Sequence, residues 1–111
     1  MTIVSPTKEQ IDRAATILHK GGIVAFATET VYGLGCDTFN EAAIELVYAT
    51  KGRPVDNPMI AHVLDSTWVE LLATKWTEQC EKLATTFWPG PLTIVLPKRD
   101  TVPASACGGR D

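Results

Sequence analysis

Three short apolar runs of strand length, at residues 23–27, 59–64 and 92–96, are separated by stretches whose apolar residues recur at helical spacing. Strands alternating with helices leave few architectures open and predict an α/β domain with at least some parallel pairing. A continuous apolar run such as 23–27 suits a central strand buried on both faces. Thr7-Lys8-Glu9-Gln10 has the form of a capping box, and Ile11, Ala14, Ala15 and Leu18 then trace an amphipathic stripe that Gly21-Gly22 ends. A second helix begins near Asn40, with Ala43, Leu46, Val47 and Thr50 on one face, and stops before Pro54. A short helix is predicted at 68–73. Thr77 opens another, with Cys80, Leu83, Ala84 and Phe87 on its inner face and Glu78 and Glu81 near its positive end. Pro89-Gly90-Pro91 breaks the chain, and 102–111 reads as a loop. Three strands under four helices make a thin core with an exposed sheet edge, so the chain is expected to end before its domain is complete.

At 111 residues there is room for one domain. A 45% hydrophobic and 21% charged composition predicts an ordered globular chain. The net charge of -3 argues against a broad surface for nucleic acid or anionic membrane, though a locally basic pocket stays open. No run approaches the ~18 apolar residues of a membrane span. Residues 1–8 lack the basic-then-apolar pattern of a signal peptide. Cys36, Cys80 and Cys107 form no C-x-x-C pair, so neither a zinc knuckle nor a disulfide framework is indicated. A reducing, cytoplasmic setting is expected, with no metal held by protein side chains.

Four segments carry candidate chemistry. Ala27-Thr28-Glu29-Thr30-Val31-Tyr32-Gly33-Leu34-Gly35 follows the first strand, where α/β folds gather their ligands. Its hydroxyls, carboxylate and phenol can bind a zwitterion such as an amino acid, or simply build a turn. Lys51-Gly52-Arg53-Pro54-Val55-Asp56-Asn57-Pro58 offers a point charge and a planar fork to a phosphate chain, without Walker spacing. The same two cations would also suit a helix C-terminus. His62, between Ala61 and Val63, is either a satisfied interior group or a side chain facing a cleft. His19, before Gly21, reads as a solvated cap. In Phe87-Trp88-Pro89-Gly90-Pro91-Leu92-Thr93 the aromatics suggest a packed corner, and Thr93 is the polar candidate.

Taken in order, three stretches resemble the YrdC-type threonylcarbamoyl-AMP synthase family. They are Gly22 through Gly35, then Lys51-Gly52-Arg53-Pro54 with Asn57-Pro58-Met59-Ile60-Ala61-His62, then Phe87 through Thr93. The match runs from the first helix to the end of the chain. The Asn-Pro-Met-Ile-x-His run is similar to that of members whose domain precedes a linker and a second domain.

The resemblance implies a twisted mixed sheet flanked by helices, with a concave basic face able to contact tRNA or other RNA. It implies an ATP-dependent nucleotidyltransferase. L-threonine, bicarbonate and ATP, with magnesium, give threonylcarbamoyl-AMP and pyrophosphate, and a separate transferase complex moves the group to tRNA. By the same resemblance Thr30 and His62 serve the threonine side, joined by Thr28 and Tyr32. Lys51, Arg53 and Asn57 serve ATP, with Thr93 lining the pocket, and Lys51 and Arg53 are the catalytic pair. Ala27 stands where the family usually has proline, which loosens the loop but removes no functional group. The family domain continues beyond Gly108-Gly109-Arg110-Asp111 with further ligands. Residues 1–111 are therefore expected to be the front part of such a domain and inactive by themselves. Two other readings are a carbamoyl-adenylating module of the hydrogenase-maturation type and a non-catalytic RNA-binding module. The first is disfavoured because its zinc-finger-like and acylphosphatase-like preceding segments are not seen, and the second by the acidic balance.

Overall fold

The computed structural model describes residues 3–110. Met1 and Asp111, which bound the readings of the amino end and the tail, lie outside them. The chain forms two compact units, Met1–Val55 and Asp56–Asp111.

The first unit opens with α1, Lys8–His19, whose N-cap Thr7 accepts the Gln10 N–H at 3.3 Å. The capping box is half formed, because the Thr7 N–H turns back to Ser5 O at 2.8 Å. No residue of α1 is fully buried: Ala14 and Leu18 are half-buried, whereas Ile11 and Ala15 of the predicted stripe are exposed. β1, Val24–Phe26, pairs antiparallel with β2, Gly33–Gly35, in the register Val24 to Gly35, Ala25 to Leu34 and Phe26 to Gly33. The expected doubly buried central strand is therefore one arm of a hairpin. Gly-Leu-Gly carries no strand propensity, which is why β2 was not anticipated. The Phe26 ring lies across both glycines: a Cβ would come within 3.1 Å of it at Gly33 and 2.8 Å at Gly35. An aromatic side chain here covers backbone that glycine leaves bare.

α2, Glu41–Lys51, is capped by Asn40, whose side chain accepts the Ala43 N–H at 3.0 Å. Ala43, Ile44, Val47 and Tyr48 are buried, while Leu46 and Thr50 are exposed. The buried stripe is rotated from the predicted one because Ile44 and Tyr48 sit beside Ala43 and Val47 on the same helical face. Both long helices of this unit end alike. Gly22 N–H reaches Ile17 O at 2.9 Å and Gly21 N–H reaches Leu18 O at 3.0 Å. Arg53 N–H reaches Tyr48 O at 3.1 Å and Gly52 N–H reaches Ala49 O at 3.4 Å. These are Schellman closures, each needing a left-handed residue, supplied by Gly21 at φ 88° and Gly52 at φ 61°.

The second unit holds a 3₁₀ turn, Ser66–Trp68, running into α3, Val69–Leu72, then α4, Glu78–Phe87, and a second 3₁₀ turn, Ala104–Cys107. Its buried residues are Val69, Ala73, Cys80, Ala84, Val102 and Ala106. On α4, Cys80 and Ala84 are buried as predicted. Leu83 and Phe87 are not, and Phe87 is 54% exposed. Trp88 is the aromatic that packs: its ring lies 6.1 Å from that of Trp76, and its Nε1–H donates to Leu92 O at 2.8 Å. Trp88–Pro89 is a cis peptide.

The α/β class stands, but the parallel pairing read from the alternation is not seen among the described residues. Segments 59–64 and 92–96 join no ladder there. Periodicity reports which way side chains face, whereas a strand also needs a backbone partner. Along 92–96 the alternation itself is present: Leu92, Ile94 and Leu96 are half-buried, and Thr93 and Val95 exposed. The segment is tied at its end, where Lys98 bridges Ala73, Thr74 N–H meets Pro97 O at 3.0 Å and Arg99 N–H meets Leu72 O at 2.7 Å. No helix among the described residues is long and apolar enough to cross a membrane.

Candidate functional site

Residues 27–32 connect β1 to β2, so Thr28, Thr30 and Tyr32 sit at a hairpin end rather than beyond a central strand. The Thr28 hydroxyl is the hub of this loop. It accepts the Thr30 N–H at 3.3 Å and the Val31 N–H at 3.2 Å, and donates to Val31 O. The Thr30 hydroxyl also lies 3.5 Å from it. Such side-chain-to-backbone bonds shape a turn without needing a ladder. Glu29, Thr30 and Tyr32 are exposed. The sequence left two readings of this segment open, a turn builder and a polar site. Thr28 braces the turn backbone, and Thr30 and Tyr32 are exposed on the same loop.

Lys51 is the last residue of α2, Gly52 is its left-handed stop, and Arg53 follows at once. The helix-terminus reading of this stretch is therefore correct as geometry. The closure itself runs through the backbone N–H groups of Gly52 and Arg53 rather than through their side chains. Lys51 is exposed and Arg53 half-buried. An exposed ammonium and a half-buried guanidinium thus leave the end of one helix two residues apart, and both groups are of the kind that binds phosphate.

In the second unit Asn57 is exposed beside Pro58. His62 is exposed too, which removes the interior reading. Its Nδ1 lies 3.0 Å from Ile60 O. A carbonyl can only accept, so Nδ1–H is the donor in this contact. Thr93 lies on the exposed face of 92–96. Thr28 and Thr30 are brought together in one turn, Lys51 and Arg53 flank one glycine, and Asn57 and His62 share one segment. Among the described residues no group of three or more His, Cys, Asp or Glu stands together as a metal site.

The thiols are not poised alike. Burial, with a smaller contribution from the neighbouring Asp37 charge, pushes the Cys36 thiol above its ordinary pKa. A thiol held protonated is a poor nucleophile. Cys80 is shifted down, first by the hydroxyl of Thr77, which donates to Sγ at 3.1 Å. Cys80 is buried and belongs to the helix cap rather than to any of these segments.

Comparison with known proteins follows the same segments. The model of the Sua5/YciO/YrdC family, described as telomere recombination, matches residues 16–111. Threonylcarbamoyl-AMP synthase of Pyrococcus abyssi is 46% identical over all of this chain and 34% of its own length. The Bacillus subtilis enzyme of that name is 45% identical over 85% of this chain and 27% of its own. This chain thus spans about a third of the length of these relatives. Among solved structures, P. abyssi Sua5 complexed with L-threonine matches 97% of this chain and 32% of its own, with a TM-score of 0.90 and 45% identity. With a family model covering all but the first fifteen residues and a solved relative sharing the fold at that identity, the chain belongs to the Sua5/YciO/YrdC family.

Proposed function

We propose that this chain serves the synthesis of threonylcarbamoyl-AMP from L-threonine, bicarbonate and ATP, for the modification of tRNA. The observation that carries the reading is the Sua5 structure with L-threonine bound, which shares the fold over 97% of this chain. Thr30 and Tyr32, on the loop that Thr28 braces, together with Thr28 itself and His62, are assigned to the amino acid. Lys51 and Arg53, with Asn57 and Thr93, are assigned to the nucleotide.

The neutral amine of threonine attacks the carbon of bicarbonate, and water leaves to give a carbamate. A carbamate oxygen then attacks the α-phosphorus of ATP, and the bond to the β-phosphate oxygen breaks to release pyrophosphate. Negative charge builds on phosphate oxygens during the second step, so the cations Lys51 and Arg53 act where they are worth most. Magnesium enters as the salt of ATP, the substrate. No covalent nucleophile is required, and the protonated Cys36 thiol offers none. The reaction belongs in the cytoplasm, where ATP, bicarbonate and tRNA meet, and its product feeds a tRNA-modifying transferase complex.

The test is a chimera in which this chain replaces the matching third of the P. abyssi synthase. The expected result is pyrophosphate release that requires threonine, bicarbonate and ATP together. A chimera that folds and binds ATP but releases pyrophosphate without regard to threonine would sink the reading. No observation favours the hydrogenase-maturation or RNA-only alternatives.

A further inference from the structure

We propose that Gly108 is a positioning residue for the nucleotide, holding the loop that carries Asn57 through its lack of a side chain. This rests on the reading of Asn57 as an ATP contact given above. Every observation lies within the second unit. The 3₁₀ turn Ala104–Cys107 ends in Gly108 at φ 62°, followed by Gly109 at φ 80°. The turn is closed on itself: Ala106 N–H meets Pro103 O at 3.1 Å, Gly109 N–H meets Ala104 O at 2.9 Å, and Arg110 N–H meets Cys107 O at 3.2 Å.

This closed turn grips the chain on both sides of Asn57-Pro58. On one side the Ala106 carbonyl accepts the Met59 N–H at 2.9 Å. On the other the Gly108 α-carbon abuts the backbone of Asp56. A Cβ at Gly108 would lie 2.9 Å from the Asp56 carbonyl carbon and 3.3 Å from Pro58 N, and closer still to Asp56 O. Pro58 already restricts the backbone of Asn57 to extended conformations. Two anchors and a proline thus fix the stretch while the Asn57 side chain stays exposed. An atom added at Gly108 meets backbone, which cannot swing aside as a side-chain tip can, so the loop must shift. A misplacement of ~1 Å in a positioning element can cost ~10²-fold in an enzyme.

Gly109 provides the control. It too is left-handed, but nothing lies within 4 Å of a Cβ there. Gly109→Ala therefore carries the backbone strain without the collision. In the purified protein, calorimetry should measure affinity for α,β-methylene ATP and for L-threonine, alongside the unfolding temperature. Asn57→Ala and Gly108→Ala should each weaken the nucleotide by ~10-fold or more, a shift in Kd read directly. Threonine affinity should hold in both, and in Gly109→Ala nucleotide affinity should hold while the unfolding temperature falls. Gly108→Ala added to Asn57→Ala should weaken the nucleotide no further, because the glycine acts through the asparagine. Equal nucleotide losses in the two glycine variants, or additive losses in the double variant, overturn the proposal. Loss in Asn57→Ala with none in Gly108→Ala overturns positioning and leaves Asn57 as a ligand. Unchanged affinity in Asn57→Ala overturns that assignment and the positioning with it. Should Gly108→Ala not fold, hydrogen exchange on the unaltered protein decides. The analogue should slow the Met59 amide and those of Gly109 and Arg110 together, and slowing at Met59 without the turn rejects the clamp.

Discussion

Thr28 commits its hydroxyl to the backbone of its own loop, and the consequence for the amino-acid site is indirect. Thr28→Val removes two acceptances and one donation at once. Each such bond is worth ~1 kcal/mol or less when exposed. The loop should survive as a hairpin end but lose the outward setting of Thr30 and Tyr32. In the chimera the KM for threonine should rise by ~10-fold, about 1.4 kcal/mol, the KM for ATP should hold, and Thr28→Ser should restore the KM for threonine. Equal changes in the two KM values would show that the turn serves the fold rather than the substrate. Arg53 poses the complementary case, since its backbone closes α2 and its side chain does not. Arg53→Ala keeps the closing N–H, so α2 should still end at Gly52. Turnover should fall by ~10²-fold or more, the scale for a lost transition-state donor. Full turnover with an intact fold would return Arg53 to a purely structural place. The candidate residues could be named from the sequence because their order and spacing resemble those of one family. What Thr28 does was not, because a threonine that builds a turn and one that binds a ligand look alike until the loop is folded.

Among the elements, the helices were the most legible, and their caps most of all. Thr7, Asn40 and Thr77 each accept the N–H three residues on. The strands were least legible: β2 is two glycines and a leucine, and the runs at 59–64 and 92–96 join no ladder among the described residues. A helix satisfies its own backbone, so local sequence suffices to announce it, while a strand depends on a partner elsewhere in the chain. The Thr77 cap has a consequence that sequence could not give. Its hydroxyl accepts from Cys80 N at 3.2 Å and donates to Cys80 Sγ at 3.1 Å, favouring the thiolate. With the folded pKa lowered, the unfolded chain binds more protons between the two values. Stability from this group is therefore complete above the ordinary thiol value and lost as pH falls through the lowered one. Thr77→Val should destabilise α4 by ~0.5–2 kcal/mol and move the midpoint of Cys80 alkylation to higher pH. The measurement is made in a Cys36→Ser, Cys107→Ser background. An unmoved midpoint would mean that the hydroxyl does not tune the thiol.

For the whole molecule, the α/β class could be argued from alternation, whereas the division into two compact units at Val55 and Asp56 could not. The boundary falls inside the stretch from Lys51 to Pro58, which the sequence presents as one motif. Each unit has a small buried set of its own. In the first it is one face of α2, where Ile44 and Val47 are each 1% exposed. So few buried side chains make each one count heavily, because a domain's net stability is only ~5–15 kcal/mol. Ile44→Ala removes three carbons from a site with no solvent access, and such deletions cost ~2–5 kcal/mol, the upper end where the cavity cannot collapse. Leu46, two residues on, is the internal comparison: it is 46% exposed although the stripe predicted it inward. Leu46→Ala should cost less than ~1 kcal/mol, as surface substitutions do. Hydrogen exchange of the α2 amides reads both variants without reference to the rest of the chain. Amides of 44–51 should lose most of their protection in Ile44→Ala and keep it in Leu46→Ala. If the two variants exchange alike, the buried face of α2 is not what holds the first unit together. Its helix and hairpin must then draw their stability from their caps and backbone hydrogen bonds.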